Sequence, residues 1–104
     1  KKITLLEIPK VELKKNKLVG EVIHIDNFGN LITNIKKENL FGDKVSVKIK
    51  GKKIEKIVKT FTQVSKGETL AYGGSAGFLE IGANQKNLAK ILKVKIGDKI
   101  EVQR

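Results

Sequence analysis

Apolar residues in this chain fall in short strand-like runs that Gly, Asn, Asp or Lys soon interrupt. The plainest stretch is 44–50, where Val45, Val47 and Ile49 alternate with Lys44, Ser46, Lys48 and Lys50. A period of two puts one face of an extended strand in a core and the other in water. Comparable pieces at 18–26, 31–35, 54–61, 69–72, 78–81 and 99–102 are separated by polar or glycine-rich turns at 26–30, 42–43, 51–52, 65–67, 73–77 and 97–98. Many short strands between evenly spaced turns predict an all-β fold, a small antiparallel barrel or sandwich. Residues 37–41 are expected to make one helical turn. One short helix is expected near the C-terminus, over 86–92, with Asn84 as its N-cap and Leu88, Ile91 and Leu92 on one face. Residues 1–17 carry Pro9 and interleave apolar with charged positions, which reads as a linker or edge segment. Residues 18–104 then form the domain.

Composition removes several kinds of chemistry. The chain has 104 residues, enough for one modest core. It contains no cysteine, so disulfides and thiolate metal sites are excluded. His24 is the single histidine, which argues against a Ser-His pair or a His-rich metal site. No apolar run reaches the length of a membrane span and no signal-peptide pattern is present, so the expected location is the cytoplasm and no membrane partner is expected. Methionine is absent even from position 1, and the chain reads as a piece of a longer protein. The net charge is +11, yet only Arg104 is arginine, and the lysines are spread along the whole sequence. Base readout and bidentate phosphate recognition favour arginine. The pattern fits a lysine-rich surface of the kind thermophiles make. It predicts non-specific attraction to polyanions at low salt and no dedicated nucleic-acid site.

Chemistry concentrates in two places. Residues 24–35 read HIDNFGNLITNI, so a single turn holds Asp26, Asn27, Phe28, Gly29 and Asn30. An Asn amide offers a donor and an acceptor in one plane, which suits a purine edge, and Phe28 offers a stacking face. Asp26 could receive an ammonium or hydroxyl group. The plainer alternative is a solvated hairpin in which Asp26 and Asn30 make local side-chain turns and Phe28 is buried. The second place is GGSAG at 73–77, followed by a strand. Glycines let backbone N–H groups approach a carboxylate or phosphate, and Ser75 adds a hydroxyl. The Lys-Ser/Thr ending of a P-loop is missing, and a tight barrel bend is the alternative. Glu80 sits in an apolar strand and either points outward by alternation or needs a partner. Phe61 reads as core or as a second platform.

Together, D-x-F-G-N-L-x-T-N-I at 26–35 and S-x-G-x-L-E-I-x-x-N at 75–84 resemble the C-terminal domain of the S-adenosyl-L-methionine hydrolases. These are the hydroxide adenosyltransferases, relatives of the fluorinating and chlorinating enzymes. The resemblance covers about residues 18–104. It implies a homotrimer in which S-adenosyl-L-methionine or adenosine lies between this domain and the N-terminal domain of a neighbouring subunit. The catalytic groups belong to that N-terminal domain and are not in this sequence, so the chain alone is expected to be inactive. The resemblance places Asn30 against adenine, Phe28 and Phe61 on its two faces, and Asp26 near the methionine amino group. It places Ser75 and Ala76 against the methionyl portion, and Ala83, Asn84 and Gln85 along the adenine edge. Glu80 matches an acid common in the hydrolase branch. Gly73, Gly74, Ala76 and Gly82 depart from the usual pattern, and Ala76 argues against a halogenase. The substrate is already a sulfonium with an excellent leaving group, so positioning and desolvation of the nucleophile carry the reaction. No metal or cofactor is implied. Three alternatives stay open: a halide-using transferase, a small basic nucleic-acid-binding barrel, and a non-catalytic assembly domain.

Overall fold

The structure, a computed structural model, describes residues 10–40, 45–54, 57–58, 69–74, 76–83 and 87–103. Among these are nine strands: β1 (Glu12–Lys14), β2 (Lys17–Ile25), β3 (Leu31–Lys36), β4 (Ser46–Ile49), β5 (Lys52–Ile54), β6 (Ile57–Val58), β7 (Thr69–Gly73), β8 (Phe78–Ala83) and β9 (Lys99–Gln103). A 3-10 turn spans Lys37–Leu40 and one helix, α1, spans Leu88–Leu92. The strands run in the order β5-β4-β9-β2-β3-β8-β7-β6, with β1 paired to β2, and form a nearly closed barrel-like sheet. The long strand β2 holds the two halves together, pairing with β9 on one side and β3 on the other. No helix among the described residues is long and apolar enough to cross a membrane.

The expected all-β class with a short C-terminal helix holds, with three corrections. First, the return strand expected over 54–61 is two strands. Ile54 is buried in the core and Ile57 packs against it. Three residues apart in one regular strand, they would face opposite sides. β5 therefore stays beside β4, and β6 joins the other half, where it makes a parallel pair with β7 in a sheet otherwise antiparallel. Secondly, α1 is capped by Asn87, whose side chain accepts the Lys90 N–H, not by Asn84. Thirdly, Leu88 and Ala89 are the buried helical residues, while Ile91 is exposed. The helix ends at Lys93 in the left-handed conformation. Of the leading segment, β1 does lie as an edge strand on β2, and residues 1–9 lie outside the described residues.

The core is the inward face of the sheet. Val22, Leu31, Ile35, Val47, Ile49, Leu79, Ile81, Ile100 and Val102 are essentially inaccessible. Each such side chain contributes about 1.5–3 kcal/mol by leaving water. Two polar residues, Thr33 and Asn34, are buried beside them and repair breaks in the ladders. The β3–β8 pairing shifts between Ile32 and Lys36. There the Thr33 hydroxyl donates to the Leu79 carbonyl (2.9 Å) and accepts the Ile35 N–H (3.2 Å). The β2–β3 pairing shifts between Val22 and His24, and the Asn34 side-chain oxygen accepts the Glu21 N–H at 2.8 Å. Gly20 faces that amide so closely that a side chain there would overlap it and Ile35. The T-N of the first motif is thus structural.

Candidate functional site

The turn at 26–30 is built around one carboxylate. Asp26 Oδ1 accepts the Phe28 and Asn30 N–H groups, both at 2.9 Å, and its Oδ2 accepts the Asn30 Nδ2 at 3.0 Å. Backbone bonds from Gly29 N–H to the Asp26 carbonyl (3.0 Å) and from Asp26 N–H to the Asn30 carbonyl (3.1 Å) close the turn. Gly29 has φ +83°, and its carbonyl accepts the Ala89 N–H of α1 at 3.0 Å. A Cβ on Gly29 would run into Asn87. The turn is thus fastened to the start of the helix. The local turns of the plainer alternative do occur, but its buried aromatic does not: Phe28 is 78% exposed. The Asn30 side chain is oriented by Asp26, and its side-chain oxygen and second amide hydrogen have no partner among the described residues.

The face of the sheet beside this turn is distinct from the core. His24, Ile32, Glu80 and Tyr72 are successive cross-strand partners on β2, β3, β8 and β7, so their side chains share one face. The neighbouring row, Ile25, Leu31, Ile81 and Ala71, faces the core. Ile32, Leu70 and Tyr72 are buried yet stand outside the core cluster. Asp26 and Asn30 continue the outward row by the two-residue period.

Glu80 is partnered here. The Tyr72 hydroxyl donates to its carboxylate. Burial pushes the Glu80 pKa up, the Tyr72 bond draws it back, and the nearby negative charge of Asp26 pushes it up again. Burial, the charge and bonding of Glu80, and Asp26 all raise the Tyr72 phenol. The carboxylate of Glu80 lies directly against Gly74, where a Cβ would collide with it. Gly74 and Gly77 close the β7–β8 turn, through Gly77 N–H to the Gly74 carbonyl at 3.0 Å and Gly74 N–H to the Phe78 carbonyl at 2.8 Å. Lys37 holds that turn from the 3-10 segment, its N–H donating to the Gly77 carbonyl at 2.9 Å.

Of the expected site residues, Asp26, Asn30 and Glu80 share this face, and Phe28 is exposed in the 26–30 turn. Ala76 is exposed in the β7–β8 turn. Ala83 ends β8 with its side chain in the core. Phe61, Ser75, Asn84 and Gln85 lie outside the described residues. Sequence reasoning missed Tyr72 and Asn87. Folding 69–72 back on 78–81 across GGSAG sets Tyr72 opposite Glu80, and that register was the signal available for Tyr72. Among the described residues no group of His, Asp and Glu could hold a metal ion. A hollow of about 690 Å³ lies elsewhere, by Leu13, Leu18, Asn39 and Val102. It contains none of these side chains.

A family model described as the SAM hydroxide adenosyltransferase C-terminal domain matches residues 20–101. The chain belongs to this family. It is 39% identical over 104 residues to the (R)-S-adenosyl-L-methionine hydrolase of Methanocaldococcus jannaschii, a match covering 92% of this chain and 38% of that protein. It is 36% identical over 78 residues to the enzyme of that name from Thermus thermophilus, covering 75% of this chain and 29% of the relative. Among solved structures it resembles an uncharacterized conserved protein from Thermotoga maritima, with a TM-score of 0.78 and 36% identity over 97% of this chain and 41% of that one. A conserved hypothetical protein from Thermus thermophilus aligns with a TM-score of 0.69 and 32% identity, over 81% of this chain and 34% of the other. The hydroxide adenosyltransferase domain seen here thus spans 29–38% of the length of these two curated relatives.

Proposed function

We propose that this chain is the substrate-binding domain of an enzyme that hydrolyses S-adenosyl-L-methionine to adenosine and L-methionine. The observation that carries the reading is the 26–30 turn: Asp26 fixes the Asn30 amide so that an acceptor and a donor stay free, beside a Phe28 ring left in solvent. A fixed amide next to an exposed ring fits the edge and face of adenine. Asp26 places negative charge on the same face, which favours a cationic substrate. The remaining roles follow the family resemblance: Phe61 on the second face of the base, Ser75 and Ala76 at the methionyl end, and Ala83, Asn84 and Gln85 along the base. The attacking water and its orienting groups belong to the N-terminal domain of a neighbouring subunit in a cytoplasmic homotrimer. An open, outward-facing site on this domain fits completion by such a neighbour. Residues 1–17 join this domain to its own N-terminal domain.

This domain's part in the reaction is binding and orientation. Holding adenine fixes the ribose 5′ carbon, and covering the site excludes bulk water other than the nucleophile. The test is turnover by the full-length protein. Incubated with S-adenosyl-L-methionine, it yields adenosine and methionine in equal amounts without added halide. Product formed only with chloride or fluoride would make it a halide transferase, and no cleavage would overturn the reading.

A further inference from the structure

Glu80 stands on β8 between two turns, 74–77 at the start of its own strand and 26–30 at the start of the paired strand β3, which lie toward opposite ends of the strand pair. On β8 it is two residues from Phe78, where the 74–77 turn ends. Its β3 partner Ile32 is two residues from Asn30, where the 26–30 turn ends. Each interval is about 7 Å of strand. The carboxylate lies on the Gly74 backbone, takes the Tyr72 hydroxyl bond, and is near enough to Asp26 to feel its charge.

We propose that Glu80, locked by Tyr72 and seated on Gly74, is a positioning residue that sets the 74–77 turn relative to the 26–30 turn and so fixes the span the substrate must bridge. This rests on the adenosyl-binding reading above. Three observations argue for a role beyond packing. Glu80, Ile32 and Tyr72 are all outside the core cluster. The pair joins β7 to β8 next to the turn that carries Ala76. Gly74 leaves the carboxylate a seat that any larger residue would close. Glu80 meets no reacting atom, so its effect reaches the substrate through the two turns. A substrate with an adenine end and a methionyl end binds well only if both turns hold their spacing. Losing the brace weakens binding of the whole molecule and leaves the chemical step nearly intact.

The experiment is steady-state kinetics of the full-length protein on S-adenosyl-L-methionine. Tyr72→Phe removes the donated bond, Glu80→Ala removes the brace, and Gly74→Ala displaces the carboxylate without changing its charge. Each is expected to raise KM about tenfold with kcat within about threefold, the pattern of lost uniform binding. Glu80→Gln keeps the shape and an acceptor for Tyr72, and is expected to return KM to within about twofold of wild type. A purely structural role would lower the melting temperature and the folded yield while leaving KM of the folded protein unchanged, and that result overturns the proposal. Failure of Glu80→Gln to rescue overturns it too. If Glu80→Ala does not fold, Tyr72→Phe decides. A raised KM in Phe28→Ala with none in the Tyr72 and Glu80 variants sinks the brace and keeps the adenosyl site. No cleavage by wild type sinks both.

Discussion

Gly29 is the residue on which turn, helix and motif converge. Its left-handed backbone disfavours a side chain, its contact with Asn87 leaves no room for one, and its carbonyl holds the Ala89 N–H. A left-handed non-glycine residue costs about 1–2 kcal/mol, and disturbing an Asn cap costs about 1 kcal/mol more. Gly29→Ala is therefore expected to lower stability by about 2–3 kcal/mol in urea denaturation. A loss too small to measure would mean the turn is not fastened to α1. Glu80 makes a pH-dependent prediction. Because its pKa is raised in the folded domain, the folded state holds that proton more tightly than the unfolded chain. The ionised form opposes folding, so this contribution to stability declines as pH rises from the ordinary carboxylate range through the raised value. Thermal midpoints of wild type and Glu80→Gln should coincide near pH 4 and separate above it, with the Gln variant the more stable. A wild type that gains on the variant as pH rises would contradict the burial of this carboxylate.

At the scale of elements, α1 shows what a short helix depends on. It has five residues, too few to be stable by propensity. Asn87, the Ala89–Gly29 bond and the burial of Leu88 hold it instead. Asn87→Ala should remove about 1 kcal/mol and speed hydrogen exchange at the Lys90 amide, and unchanged exchange would deny the cap. The same helix shows where the sequence was ambiguous. Asn84 and Asn87 both precede the apolar pair Leu88 and Ala89, and nothing local ranks them. The β2–β3 and β7–β8 hairpins were legible because short strand-like apolar runs flank unmistakable turn residues. The break between β5 and β6 was readable only from parity, since Ile54 and Ile57 cannot both face inward from one regular strand. In D-x-F-G-N-L-x-T-N-I the residue types marked a special place, but not the division of labour within it. Asp26 and Gly29 build the turn, Thr33 and Asn34 mend the ladders, and Phe28 is left exposed beside the unbonded edge of the Asn30 amide. That division depends on burial and bonding set by other strands.

For the whole molecule, the charge of +11 and the proposed adenosyl site make different demands. The ion pairs Lys17–Glu101 (3.4 Å) and Lys99–Glu21 (3.2 Å) are partly exposed and contribute little. Lysines spread over the surface attract polyanions only at low ionic strength. Oligonucleotide affinity present at about 50 mM salt should vanish by about 500 mM. Adenosine affinity should not change across that range, and parallel losses would favour a nucleic-acid surface. Phe28 is the cleanest probe of adenine binding at the 26–30 turn. Its side chain is exposed and only its backbone N–H supports the turn, so Phe28→Ala leaves the fold intact. The decisive measurement is calorimetry of adenosine binding to the full-length protein, wild type against Phe28→Ala. Phe28→Ala is expected to lose about 1–3 kcal/mol of affinity, as for a base deprived of its stacking partner. Equal affinities would contradict it, leaving the turn as a structural hairpin and the adenine elsewhere.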